Sequence, residues 1–211
     1  MFISSSFSFM YRLILVSSSP NRKELLESLD VSFEIEHPTN DESLITHFSP
    51  VILSQKRAKA KVDSIKAKYN GKKAILLGCD TLIEKDSAIF GKPKTASDAI
   101  SMLQSFSSTH HRVISSIFCL NAYTKKSKKA TSISKVWFKE LEKKELDYYI
   151  KSGEWQGVAG SYRIQGRASY FIRKIQGSYW GIVGLPIHEL YEILKSLSIE
   201  EPNILFNTIK T

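Results

Sequence analysis

A short apolar run that leads directly into a helix pattern constrains the fold more than any other part of the sequence. The stretch LILVSSSPNRKELLESL occupies residues 13–29. Residues 12–17 have the short, apolar character of a buried strand, and Ser19 followed by Pro20 is typical of a helix N-cap and first helical position. A strand that feeds a helix is the building unit of α/β proteins, so this stretch predicts an α/β fold.

The rest of the chain repeats the alternation of strand and helix patterns. Further strands are predicted at 72–84, 88–90, 112–123 and 131–141, and further helices at about 50–68, 96–106, 140–151 and after GLP at 184–186. The run TKKSKK is predicted to be the solvated tip of a hairpin. No internal repeat or linker divides the pattern. We therefore predict one domain over residues 12–199, with flexible tails at 1–11 and 200–211.

Charge and cysteine content limit the partners and the compartment. The 30 Lys and Arg residues exceed the 21 Asp and Glu residues, and the net charge of +9 favours polyanions: nucleotides, nucleic acids or acidic membranes. No apolar run approaches the roughly 20 residues of a membrane span, and the apolar start lacks the basic region of a signal peptide. Cys79 and Cys119 have no zinc or disulfide spacing and fit a reducing cytosol. His110 and His111 belong to no zinc pattern and are interpreted as structural.

The residues around the first helix start are candidates for holding phosphate. A helix N-terminus carries free N–H groups and a partial positive charge, and the side chains of Ser17, Ser19 and Arg22 add donors. The alternative is structural: Ser19 and Pro20 only cap the helix, and Arg22 pairs with a distant acid. The G-x-x-x-x-G-K-[ST] pattern of a P-loop is absent.

Three further positions stand out by their surroundings. Asp80 places a carboxylate inside the apolar run AILLGCDTLI, so it must meet a cation, a metal ion or solvent at a strand end. Lys92 lies in the rigid loop GKPK, and Gln165 lies beside a glycine in the segment 153–184, which holds seven of the ten glycines. The structural alternatives are a strand-end turn for Asp80 and a surface position for Lys92.

Five separated motifs follow one another along the chain: SSSPNRKELL, GCDTLI, FGKPK, AGSYRIQG and VGLPI. In this order they resemble the Maf family of nucleoside triphosphate pyrophosphatases, from about residue 12 to residue 197. The resemblance implies a mixed, twisted α/β sheet with flanking helices and two lobes around a cleft, as in inosine-triphosphatase-like proteins. It also implies a cytoplasmic, metal-dependent enzyme, commonly a homodimer, that cleaves a nucleoside triphosphate to a monophosphate and pyrophosphate. No specific nucleic acid or membrane partner is expected.

The resemblance assigns the phosphate-binding residues one by one. Ser19 and Arg22, with Ser17 beside them, match the phosphate loop of the family. Lys92 matches its loop lysine, which belongs to the catalytic site.

The resemblance also assigns the catalytic acid and the residue that selects the base. Asp80 matches the acid, which serves either as a ligand of Mg²⁺ or Mn²⁺ or as a general base. Glu42 falls near the acidic loop position of the family and is predicted as a second metal ligand. Gln165 matches the glutamine of members that act on dTTP and UTP.

The sequence departs from the family pattern at several motifs. Asn21 occupies the position of a second arginine, and the lysine expected on the second helix aligns with Arg57, with Lys56 beside it. The pair at 157–158 is Gly-Val instead of Asp-Lys, and Arg163 replaces a glycine. We expect Lys56, Arg57 and Arg163 to offset part of the lost positive charge, and we predict Lys56 and Arg57 as substrate-binding residues.

Two other functions are compatible with the motifs. Relatives that act on 7-methylguanosine triphosphate resemble AGSFKSEG, with Glu in place of Gln165, so IQG favours the pyrimidine group. A catalytically weak nucleotide-binding regulator of cell division would use the same basic surface. An RNA-recognition pattern with interleaved aromatic residues is absent from the sequence. We therefore predict hydrolysis of dTTP, UTP or a modified pyrimidine nucleotide.

Overall fold

Residues 11–197 form seven strands and six α-helices. The strands are β1 (Arg12–Val16), β2 (Phe33–Glu36), β3 (Ala74–Lys85), β4 (Ala88–Phe90), β5 (His110–Asn121), β6 (Ser127–Phe138) and β7 (Ile172–Gln176). The helices are α1 (Pro20–Glu27), α2 (Pro50–Ile65), α3 (Ala96–Phe106), α4 (Lys143–Lys151), α5 (Tyr179–Val183) and α6 (Ile187–Leu197). The computed structural model describes residues 11–197, so the predicted tails lie outside it except for Tyr11.

The strands form one mixed sheet, in the order β2-β1-β3-β5-β6-β7 with β4 paired to β3. β1 is parallel to β2 and β3, whereas β3, β5, β6 and β7 are antiparallel to their neighbours. Parallel neighbours need a crossover connection, and α1 supplies it between β1 and β2. The predicted mixed α/β sheet with flanking helices is therefore confirmed. Within residues 11–197, no helix is both long and apolar enough to span a bilayer.

The unequal lengths of β1 and β3 shape the sheet next to the first helix. The ladder between them ends where Val16 pairs with Gly78, whereas β3 continues to Lys85. On its other side β3 stays paired with β5 as far as Glu84. The second half of β3 therefore runs past the end of β1, and the loop that leads to α1 lies beside it.

Helix α2 covers one face of the sheet and α3, α4 and α6 cover the other. The α2 side has a small apolar core that includes Ile14, Val16, Ala58 and Val62. Gly78 permits this packing, because a Cβ there would lie 2.1 Å from the carbonyl oxygen of Ala58. The larger core on the opposite face includes the aromatic side chains of α3, α4, β6 and the segment around 162–171.

Most local signals of the sequence are confirmed. Helix α1 starts at Pro20 after Ser19, and α3 has the capping box between Thr95 and Asp98. The buried stripe of α6 is also as predicted: Leu190, Ile193, Leu194 and Leu197. Some features differ. β6 begins at Ser127, so part of the lysine-rich run forms a strand, because pairing with β5 outweighs its polar composition. The sequence did not predict the short edge strand β2.

Candidate active site

A cleft of about 240 Å³ opens where β1 ends and β3 continues. Its walls come from the β1–α1 connection, β3, the loop after β4, the glycine-rich segment and the turn before α6. The candidate residues among its lining are Ser17, Ser19, Arg22, Glu42, Asp80, Lys92 and Gln165. The fold thus brings together seven of the nine residues predicted from sequence, leaving out Lys56 and Arg57.

The start of α1 presents several hydrogen-bond donors to the cleft. The N–H group of Ser19 donates to Ser17 Oγ over 3.1 Å, which fixes the turn. Ser19 occupies the N-cap position, but its hydroxyl caps no helical N–H group. The hydroxyl and the first-turn amides of α1 are therefore free to bind a ligand in the cleft.

Arg22 is buried, and its guanidinium group contacts only neutral acceptors. Its Nε donates to the carbonyl oxygen of Gly184 over 3.0 Å, Nη1 to Ser17 Oγ over 3.1 Å and Nη2 to Thr81 Oγ1 over 3.2 Å. Among residues 11–197 it forms no salt bridge. A buried charge without a counter-ion is costly, so this position favours an anion in the cleft.

Asp80 lies in β3, just beyond the last residue that pairs with β1, on the face that α2 covers. Its Oδ1 lies 3.5 Å from Lys61 Nζ, which also donates to the carbonyl oxygen of Cys79 over 2.8 Å. Glu42 Oε2 lies 2.8 Å from the same ammonium. Asp80 Oδ2 is buried and has no hydrogen-bond partner among the described residues. One oxygen of this carboxylate is thus held in place, and the other is buried and unpartnered.

Lys61 is the functional candidate that the sequence reasoning missed. Its side chain is only 5% exposed and occupies the buried stripe of α2 with Ala58, Val62 and Ile65. A lysine at that helical spacing is the signal that would have found it, because a buried lysine needs an acidic partner.

Lys56 and Arg57 do not line the cleft. Lys56 is exposed, and Arg57 Nη2 donates to the carbonyl oxygen of Ile45 over 3.2 Å. Arg57 therefore holds the loop that precedes α2. The cation that α2 contributes to the cleft is Lys61, one helical turn further on.

The loop that carries Lys92 is fastened to the glycine-rich segment. The N–H group of Gly160 donates to the carbonyl oxygen of Gly91 over 3.0 Å. Gly160 has a φ of 66°, and a Cβ there would lie 2.4 Å from Ile83 Cδ1, so this contact needs glycine. The exposed Lys92 is thereby placed at the cleft, opposite the start of α1.

The residues that depart from the family pattern also line the cleft. They are Asn21, Gly157, Val158 and Arg163. Arg163 Nη1 donates to Asn21 Oδ1 over 2.6 Å. Gln165 is exposed two residues further on, at the rim.

The carboxylates of the cleft fit a magnesium-type ion. The described residues contain no group of three or more His, Cys, Asp or Glu side chains that could hold a metal by themselves. Mg²⁺, however, is commonly held by one or two carboxylates together with substrate phosphates. The unpartnered Oδ2 of Asp80, with Glu42 nearby on Lys61, provides that donor set.

The histidines and cysteines lie outside this chemistry. Burial lowers the pKa of His111 to about 3, and its Nε2 is 2.7 Å from the hydroxyl of Tyr162. His110 stacks on Trp137, and neither histidine lines the cleft. Cys79 and Cys119 are free and buried, and burial raises the pKa of each thiol.

Comparison with known proteins gives one consistent result. The family model described as Maf-like protein matches residues 12–197. A dTTP/UTP pyrophosphatase of Treponema denticola is 44% identical over 195 residues, which cover 88% of this chain and 96% of the relative. Relatives with the same name from Bacillus cereus and Alkaliphilus oremlandii are 40% and 37% identical, covering 90% and 89% of this chain and 98% and 96% of their own lengths.

Proposed function

This chain belongs to the Maf family, and from that premise we propose that it hydrolyses dTTP and UTP between the α and β phosphates, giving a nucleoside monophosphate and pyrophosphate. The relatives with this activity in their names are similar over nearly their whole length. The observation that carries the proposal is the composition of the cleft, where Asp80, whose buried Oδ2 has no hydrogen-bond partner among the described residues, lies together with the phosphate-binding candidates Arg22 and Lys92.

The phosphate chain is proposed to bind between the start of α1 and the loop of Lys92. Arg22 and the first-turn amides hold it from one side, and the Lys92 ammonium neutralises charge from the other. Hydrolysis at phosphorus accumulates negative charge on the phosphate oxygens, so fixed cations lower the barrier. The rigid contacts of Arg22 with Gly184 and Thr81 keep its guanidinium in place without a ligand.

Asp80 is proposed to direct the attacking water. Lys61 holds Oδ1, and the unpartnered Oδ2 is the atom that we propose binds a water or a metal ion. A bound Mg²⁺ or Mn²⁺ would supply charge neutralisation and an activated water, and Asp80 and Glu42 are the residues that would hold it. Lys61 also keeps the two carboxylates from repelling each other.

Gln165 is proposed to recognise the pyrimidine base. Its amide both donates and accepts hydrogen bonds, which suits the alternating carbonyl and N–H groups of uracil and thymine. Its exposed position at the rim lies beyond the phosphate-binding wall, where a base would extend. The homodimer, the cytoplasmic location and the lack of a nucleic-acid partner stay predictions.

A product-resolved assay tests the proposal. Purified protein is incubated with dTTP, UTP, CTP, ATP, GTP and 7-methyl-GTP, each with Mg²⁺, Mn²⁺ or excess chelator, and monophosphate, pyrophosphate and orthophosphate are quantified. We expect equal amounts of monophosphate and pyrophosphate, the fastest turnover with dTTP and UTP, and none in chelator. Orthophosphate as the first product, or preference for a purine nucleotide, would contradict the proposal. Full activity in chelator would remove the metal from it.

A further inference from the structure

Two residues 142 positions apart in sequence meet inside the cleft. Arg163 Nη1 donates to Asn21 Oδ1 over 2.6 Å, and both side chains are half-buried. Asn21 belongs to the first turn of α1, and Arg163 comes from the glycine-rich segment on the opposite wall. This contact places a second guanidinium group at the end of α1 that already holds Arg22.

Electrostatics alone do not favour this arrangement. The N-terminal end of a helix is partially positive, and Arg22 is buried beside it, so a further cation is repelled. Among residues 11–197, no salt bridge neutralises either guanidinium. The arrangement becomes favourable once an anion enters between them.

The backbone on both sides of Arg163 is anchored. Tyr162 is buried, with its hydroxyl 2.7 Å from His111 Nε2, and Ile164 is buried in the larger core. Arg163 lies between these anchors and lines the cleft. Asn21 engages one of the five N–H donors of a guanidinium group, which leaves a pair free for bidentate binding of phosphate oxygens.

We propose that Arg163 is a substrate-binding residue for the phosphate chain and that Asn21 is the positioning residue that aims its guanidinium group. The proposal rests on the proposed function, because it adds a further cation to those that hold the triphosphate of that reaction. In this chain the positive charge reaches the end of α1 from the facing segment, whereas a direct arginine at position 21 would supply it from the helix itself.

The first test removes the charge. Arg163→Gln is expected to raise KM for UTP at least about tenfold, with kcat changed less, since one charged hydrogen bond to phosphate is lost. Calorimetric titration with inorganic pyrophosphate should show a similar loss of affinity. Arg163→Lys keeps the charge but loses the bidentate geometry of the guanidinium group. Its KM should lie between those of the parental protein and Arg163→Gln. The matched control is Arg167→Gln, because Arg167 is exposed, pairs with Glu154 and does not line the cleft.

The second test asks whether Asn21 acts through Arg163. Asn21→Ala should raise KM by about threefold in the parental protein and have no effect in the Arg163→Gln background. Full additivity of the two changes would overturn the positioning role. The exchange variant Asn21→Arg with Arg163→Gly should recover most of the affinity that Arg163→Gly alone loses. An exchange variant as weak as Arg163→Gly would show that charge at this place does not bind phosphate.

Failure of this inference is distinguishable from failure of the proposed function. Unchanged KM and unchanged pyrophosphate affinity in Arg163→Gln, with normal parental turnover, would overturn the inference and leave the function intact. A parental protein that releases no pyrophosphate from any nucleotide would overturn the function. The pyrophosphate titration would then still decide whether Arg163 binds phosphate.

Discussion

Two buried polar side chains on neighbouring strands of the sheet differ in their surroundings and therefore in the chemistry open to them. Asp80 on β3 and His111 on β5 are both buried, and each has one side-chain atom without a hydrogen-bond partner among the described residues, Oδ2 and Nδ1 respectively. Their environments differ in charge and in access. Asp80 faces Lys61 and the cleft, whereas His111 is enclosed by rings.

The surroundings of His111 explain why it is a structural residue. The rings of Phe106, Phe138 and Tyr162 lie 4.2, 5.2 and 5.3 Å from its own, centre to centre. Burial first, and then the charges of His110 and Lys85, lower its pKa to about 3, so the ring is neutral at physiological pH. Burial and the lack of a hydrogen-bond partner therefore do not by themselves identify a reactive group. Asp80 differs from His111 in that it lines the cleft and lies beside a cation.

The largest expected effect is loss of the acid. Asp80→Asn should lower kcat at least about a hundredfold, because the amide neither binds a metal ion well nor accepts a proton. Thermal unfolding should show that the fold persists. Asp86→Asn, in an exposed turn, is the matched control and should keep parental turnover. Near-parental turnover in Asp80→Asn would place the reactive centre elsewhere.

Removal of the buried guanidinium should affect substrate affinity next. Arg22→Ala is expected to raise KM for UTP by about ten- to a hundredfold, since a charged hydrogen bond to phosphate is worth about 1.5–3 kcal/mol. The control is Arg12→Ala, because the Arg12 side chain is half exposed and pairs with Glu34 at the surface. An unchanged KM in Arg22→Ala would mean that this guanidinium only ties α1 to Gly184 and Thr81.

The role of Lys61 can be separated from that of Asp80 by a double variant. Lys61→Met should reduce the free energy of unfolding by about 2 kcal/mol, because it leaves two neighbouring carboxylates without their shared cation. Chemical denaturation measures this change. Lys61→Met combined with Asp80→Asn should recover stability but not turnover. A double variant as unstable as Lys61→Met would show that the lysine stabilises by packing alone.

At neutral pH the smallest effect belongs to the neutral histidine, because it develops only as the pH falls below 6.5. A folded-state pKa of about 3 against an ordinary value of 6.5 means that only the unfolded chain takes up this proton between those values. The free energy of unfolding should be fully retained above pH 6.5 and decline by about 1.4 kcal/mol per pH unit below it.

Denaturation at pH 7, 6 and 5 checks this dependence. His111→Gln should flatten the decline over this range, where other carboxylates still keep their charge, and should leave turnover at pH 8 far less affected than Asp80→Asn does. His188→Gln is the matched control, because His188 is exposed on α6. An equally steep decline in His111→Gln would assign the titration to another group.

The sequence predicted the elements better than the contacts between them. Ser19 and Pro20 indicate a helix start from local sequence alone, and the structure has a helix there. The isolated acid in AILLGCDTLI indicates a charge that needs a partner, and Asp80 has a cation beside it. The relative lengths of β1 and β3 depend on pairing between distant segments, and nothing near Asp80 in sequence shows where β1 stops.

The predicted cations also show the difference between what local sequence indicates and what only the folded chain determines. Arg57 was predicted by alignment of a motif, yet the direction of its side chain depends on the path of the loop around Ile45. Lys61 was within reach of a periodicity argument, because it lies on the apolar stripe of α2. The contact between Asn21 and Arg163 was not, since it joins segments that are far apart in sequence and that only the folded chain brings together.

Gly78 affects the geometry of the cleft although it does not line it. A methyl group on Gly78 would collide with the backbone of α2 and push that helix away from the sheet. Lys61 would move with α2, so this displacement would separate its ammonium from the carboxylates of both Asp80 and Glu42. The position of Asp80 relative to its cation therefore depends on a glycine two residues earlier on the same face of β3, where the absence of a side chain lets α2 pack closely.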